Sequence, residues 1–128
     1  MIDSNTLLFF DQHPSALPIY EAFETMLYNR FPDVQKRVQK TQISFYNKHM
    51  FSCVSFARVK RKAELPDPYI VVTLGLPYPL ESERVAVKTE PYPGRWTTHI
   101  VIGGADEIDE ELFSWVSQAY TFSDRKKK

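Results

Sequence analysis

The stretch Thr41-Gln42-Ile43-Ser44-Phe45-Tyr46-Asn47-Lys48-His49-Met50-Phe51-Ser52-Cys53-Val54-Ser55-Phe56 decides the fold class, because the hydrophobic period changes here from helical to two. Ile43 and Phe45 alternate with Gln42, Ser44 and Tyr46, the pattern of a half-buried strand. Asn47-Lys48 predicts a two-residue hairpin turn, and His49 to Val59 the return strand. Its centre, Phe51 to Phe56, carries apolar residues on both alternations, which predicts a central place in a sheet.

Downstream the same period continues. Lys60 to Pro68 is a charged loop broken by proline, and Tyr69 to Leu76 is a strand rich in β-branched residues. Pro77-Tyr78-Pro79 interrupts it. Arg84 to Thr89 alternates basic and apolar residues, and Pro91-Tyr92-Pro93-Gly94 turns the chain into a fifth strand, Thr97 to Ile102. Gly103-Gly104 closes that strand. Asp106 then reads as the cap of a helix with an acidic first turn and an apolar stripe of Ile108, Leu112, Trp115, Val116 and Ala119.

Upstream the period is helical. Asn5 to Gln12 reads as a short helix or ordered arm, ended at His13-Pro14. Ser15 is the expected N-cap of a helix that keeps Pro18 in its first turn and carries Leu17, Tyr20, Phe23 or Glu24, Leu27 and Phe31 at helical spacing. Pro32 stops it, and Val34 to Val38 reads as one more helical turn. The order predicts an α+β fold: a mostly antiparallel sheet of about five strands, flanked by N-terminal and C-terminal helices packed on one face. Residues 1–124 form one domain in this reading, and 125–128 a basic, disordered tail. The other sheet face is left to a partner, a ligand or water. Gln42, Ser44, Tyr46, Thr73, Arg84, Lys88 and one alternation of Thr97-Thr98-His99 are expected on it.

Composition narrows the classes. With 43% hydrophobic and 14% aromatic residues over 128 positions, the chain has the makings of one packed core. No apolar run approaches the roughly 18 residues of a membrane span, and the start, Met1-Ile2-Asp3-Ser4-Asn5, lacks the pattern of a signal peptide. The one cysteine, Cys53, excludes a disulfide framework and a cysteine-rich zinc site, so a cytoplasmic location is expected. Net charge is zero, but its distribution is uneven. Residues 30–62 hold Arg30, Lys36, Arg37, Lys40, Lys48, Arg58, Lys60, Arg61 and Lys62 against Asp33 alone, while residues 106–111 are acidic. The basic segment suits phosphate-bearing partners, and equally a set of well-solvated strand ends and turns.

Two clusters carry candidate chemistry. Lys40, Gln42, Ser44 and Tyr46 put an ammonium, a carboxamide, a hydroxyl and a phenol along one strand, a row suited to a polar or anionic ligand or to an ordinary wet strand face. Arg95, Trp96 and His99 combine stacking, anion recognition and a proton carrier, and His13 stands where a helix begins. The three histidines lack the spacing of a helical metal pair, and no metal or cofactor is expected. Gly103-Gly104 does not form a phosphate loop. Cys53, between bulky neighbours, reads as a small core residue.

Beyond these patterns, His13-Pro14, Tyr20-Glu21-Ala22, Val38 to Tyr46, Glu90-Pro91-Tyr92-Pro93, Arg95-Trp96, His99 and Ile108-Asp109-Glu110-Glu111-Leu112 resemble a family of small bacterial proteins catalogued as domain of unknown function 5655. Lys-Thr-Gln-Ile-Ser-Phe-Tyr is the most specific string. The resemblance brings no catalytic or binding residues with it. Its occasional label as a transport protein is at odds with a chain lacking a membrane-length apolar run. The fusion of some members to nuclease-type domains of restriction systems implies a nucleic-acid-linked or defence-linked role.

Three functions are expected in order. The first is a binding or interaction module for a polar or anionic small molecule or a partner protein, using His13, Lys40, Gln42, Ser44, Tyr46, Arg95, Trp96 and His99. The second is a small enzyme with His13 or His99 as acid/base on an anionic substrate, beside Tyr46 or Lys40, with Arg95 as clamp. The third is a nucleic-acid accessory domain using the basic segment 30–62. A homodimer through an exposed strand edge is compatible with each.

Overall fold

The computed structural model describes residues 3–125. Three helices and one sheet account for the chain: α1 (Ser4–Phe9), α2 (Leu17–Arg30), β1 (Gln35–Val38), β2 (Gln42–Tyr46), β3 (Met50–Ser55), β4 (Ile70–Leu76), β5 (Val85–Tyr92), β6 (Arg95–Ile102) and α3 (Glu110–Arg125). The sheet has six strands in the order β1-β2-β3-β4-β6-β5, every neighbouring pair antiparallel. The α+β class and the flanking helices agree with the sequence reading. The additional strand is β1, expected as a helical turn. Its pattern was masked because Lys36, a charged residue, takes an inward position beside Val38, while Gln35 and Arg37 face outward.

The helices start differently from expectation. A short 3₁₀ turn, Pro14–Ala16, runs into α2 without a side-chain cap at either Ser15 or Ala16. Pro14 and Pro18 supply no N–H there, so two donors that a cap would satisfy are missing. Asp106 lies in another 3₁₀ turn, Ala105–Glu107, and it is Asp109 that caps α3: its carboxylate accepts the Leu112 N–H at 2.9 Å. α3 continues through Arg125, and the remainder of the basic tail lies outside the described residues.

Strand phase sets the two faces. Ile43, Phe45, Val54, Val72, Leu74 and Ile100 point to the helices, where they are buried against Phe23, Leu27, Leu112, Phe113 and Val116. Phe23 sits 5.8 Å from Phe45 and 5.4 Å from Phe113, ring to ring, joining sheet, α2 and α3. Each such side chain contributes roughly 1.5–3 kcal/mol by leaving water. Between β2 and β3 the link is Asn47–His49, one residue longer than a two-residue turn. The register shifts at Phe45/Tyr46, so that Phe51 is the extra residue of a bulge and turns into the core, 5.2 Å from the Tyr120 ring and 6.4 Å from Phe31. Asn47 then donates to the Tyr120 carbonyl at 2.8 Å and accepts from Ser123 at 2.8 Å, docking the link on α3.

The face away from the helices carries one row that crosses all strands: Arg37, Ser44, Cys53, Thr73, His99 and Val87. Gln42, Tyr46 and Thr97 share it. Arg84 and Lys88 do not. Lys88 pairs with Thr98 on the helix side and donates to the Leu80 carbonyl at 3.1 Å, and Arg84 reaches Asp109 at 2.9 Å and Glu111 at 3.0 Å. β5 is an edge strand, so Arg84, just before it, can bend round to the acidic start of α3, while Lys88 turns back to the loop at Leu80 and Glu81. Trp96, opposite Leu76, also takes the helix-side phase.

Candidate functional site

Two hollows lie at opposite ends of β3. The first is a cleft of about 500 Å³ between the N-terminal arm and the β1–β2 turn. Phe9 and His13 form one wall, Lys40 and Thr41 another, and Gln42, Ser55 and Phe56 line the base. The His13 ring stacks on Phe56 at 4.0 Å, and Phe56 stacks on Phe9 at 5.5 Å, giving an aromatic ladder with an imidazole at its wet end. Lys40 and Thr41 are the corner residues of a turn closed by the Gln39 N–H to the Gln42 carbonyl at 2.8 Å. Turn geometry thus pushes Lys40 outward. Its ammonium is exposed and has no ion pair or hydrogen bond among the described residues.

Below the turn runs a chain of hydrogen bonds. The Gln42 amide donates to Ser44 Oγ at 2.7 Å, and Ser44 donates to Gln39 Oε1 at 2.7 Å. Ser44 is fully buried and used up by these two contacts, so its work is to hold Gln42 at the base of the cleft. Of the eight residues singled out in the sequence, then, His13, Lys40 and Gln42 line one cleft, with Ser44 supporting it. Tyr46 stands outside, with the Arg37 guanidinium 5.1 Å over its ring.

Arg95 and Trp96 line the second hollow, a notch of about 220 Å³ at the other end of β3. His99 lines neither. Its Nδ1 lies 2.8 Å from Thr73 Oγ1 in the middle of the sheet, and burial pulls its pKa below the ordinary histidine value. Thr73 also bonds Cys53, whose thiol is pushed up by burial, an effect that this hydrogen bond only partly offsets. A raised thiol pKa works against nucleophilic use of Cys53. Among the described residues, no three His, Cys, Asp or Glu side chains gather as a metal would require, and no helix is long and apolar enough to cross a membrane.

The basic segment is partly consumed by the fold. Arg30 pairs with Glu110, Lys36 with Glu24 at 2.7 Å, Arg61 with Glu64 at 2.9 Å, and Arg37 covers Tyr46. Sequence reasoning did not pick out Phe9 or Phe56 for the cleft, nor Gly75 and Tyr92 for the notch. Gly75 carried a signal: a glycine inside a β-branched strand marks a gap or a close approach.

The family model for the domain of unknown function DUF5655 matches residues 8–123, and the chain belongs to that family. No curated protein and no solved structure matches it.

Proposed function

We propose that this member of the DUF5655 family is a binding module that holds a small polar or anionic ligand in the cleft between the N-terminal arm and the β1–β2 turn. The observation that carries the reading is Lys40: an exposed, unpaired ammonium at the mouth of a cleft whose other walls are His13, Gln42 and the stacked pair Phe9 and Phe56. An aromatic ladder takes the flat part of a ligand, the Gln42 amide oxygen and Thr41 hydroxyl supply hydrogen bonds, and Lys40 supplies charge. The rigid base, fixed through Ser44 and Gln39, keeps the ordering cost of binding low.

A thermal-shift screen of anionic metabolites and mononucleotides tests this. A ligand present at about 100 times its Kd stabilises the fold by roughly 2.7 kcal/mol, enough to raise Tm by several degrees. The expected result is a hit whose shift disappears in Lys40→Ala and shrinks in His13→Ala. Absence of any hit, or a shift unchanged in Lys40→Ala, overturns the reading.

A further inference from the structure

β3 and β4 stop pairing after Ser52 and Leu74, yet β4 continues to Leu76 alongside β6. The parted strands leave the notch of about 220 Å³, and none of its lining residues belongs to the cleft. Gly75 stands at its wall, and a Cβ added there would meet nothing within 4 Å, so the missing side chain is itself part of the hollow. Four of the groups around it are unused. The Arg95 guanidinium has no ion pair or hydrogen bond among the described residues, although the guanidinium is the side chain best shaped to grip a carboxylate. Tyr92 is 65% exposed and, like Trp96, has no ring or side-chain hydrogen-bond partner there. Ser52, also lining the notch, has a buried hydroxyl without a partner. Thr98, across Leu74 on the same row, has a second buried hydroxyl without a partner, so the sheet is under-satisfied beside the notch.

We infer that this notch is a binding site for a small aromatic carboxylate. Its volume lies below the roughly 300–1,000 Å³ of sites for drug-sized ligands, which selects a molecule of one ring. Trp96 and Tyr92 offer aromatic surface to that ring, and Arg95 receives the carboxylate in a charge-assisted, two-pronged hydrogen bond. The inference does not rest on the reading of the cleft.

Benzoate is the probe, with benzyl alcohol as its uncharged counterpart, titrated into the full chain and followed by amide and indole NMR signals. Saturable shifts are expected at Gly75, Thr97 and the Trp96 indole, and none at Lys40 or Thr41. Benzyl alcohol and the Arg95→Gln variant should each bind about tenfold more weakly, the loss of one charge-assisted contact. Gly75→Leu, which fills the notch, should abolish binding. If that variant does not fold, Gly75→Ala carries the same test, since open space awaits its methyl group. No shift by about 10 mM benzoate, or shifts unchanged in both the Arg95 and Gly75 variants, overturns the inference.

Discussion

Lys36 and Lys40 stand four residues apart, one within the edge strand β1 and one in the turn that follows, and the fold treats them in opposite ways. The Lys36 ammonium is drawn under α1, 2.7 Å from Glu24, 2.5 Å from Thr6 and 3.6 Å from Asp3, with the Tyr20 ring 5.4 Å away. Tyr20 in turn donates to Glu24 at 2.5 Å, and burial, then that carboxylate, pushes its phenol pKa far up. Lys40 meets no such set. One lysine is a structural part, satisfied on every side; the other is charge held out at a cleft. The difference comes from strand phase and turn position, and neither residue type nor local charge density reveals it.

The largest expected effect breaks the buried side of this comparison. Glu24 and Lys36 are 5% and 11% exposed in their side chains. Glu24→Ala leaves a buried ammonium without its main counter-charge, and removing one member of such a pair costs about 3–5 kcal/mol. Lys40→Ala should change stability by no more than about 0.5 kcal/mol, as exposed substitutions usually do. Urea unfolding of both variants checks this, and losses of similar size would dissolve the distinction. Replacing Glu24 and Lys36 together by Leu and Met should recover the part of the loss that belongs to the unpaired charge, while the Tyr20 hydroxyl, left without its acceptor, keeps about 1–3 kcal/mol of it.

An intermediate case sharpens the scale. Arg84 bridges Asp109 and Glu111 with a side chain about one-fifth exposed, while both carboxylates stay largely wet. Asp109 also caps α3. Burial alone would raise its carboxyl pKa, but the Leu112 N–H and Arg84 outweigh it and hold it below the ordinary value. Asp109→Ala should therefore cost about 1–2 kcal/mol, mostly the cap, between the values for Glu24 and Lys40. The capped state is favoured above the ordinary aspartate pKa near 4 and is lost as pH falls through the lowered one. A variant as costly as Glu24→Ala would mean that this pair is buried in effect.

The same contrast explains what could be read from the chain without its structure. The strands from Gln42 onward and the stripe of α3 were legible because apolar residues mark their inward positions. β1 was not, since its inward Lys36 hides the alternation until Glu24, twelve residues earlier, is known to sit over it. The open face was legible in Ser44, Thr73 and His99, which do share a row. It failed at Arg84 and Lys88, whose phases or side-chain lengths carry them to the helix side. Lys40 and Gln42 reach one cleft through their own turn, a local event. His13 joins them only because Phe56, far along the chain, receives its ring, and no local pattern encodes that.

His99 supplies the smallest and most diagnostic effect, because it is a titratable group held half-buried against a neutral partner. Thr73 satisfies one ring nitrogen but offers no counter-charge, so burial disfavours the imidazolium and lowers the pKa from 6.5. Below about pH 6.5 the unfolded chain takes up a proton that the folded one still refuses, and stability falls with pH. The loss ends once pH is below the folded pKa, where both states hold the proton. The ring is partly buried and keeps some contact with water, so the slope should be a fraction of the about 1.4 kcal/mol per pH unit that one whole proton gives. In His99→Gln the amide can keep the bond to Thr73 while the titration disappears. Unfolding free energies between about pH 7.5 and 5 should decline less steeply in this variant than in the parent chain. Were the two slopes equal, His99 would be no more withheld from protonation than Lys40 is from solvent, and the division of this fold's charges into owned and free would end at the sheet centre.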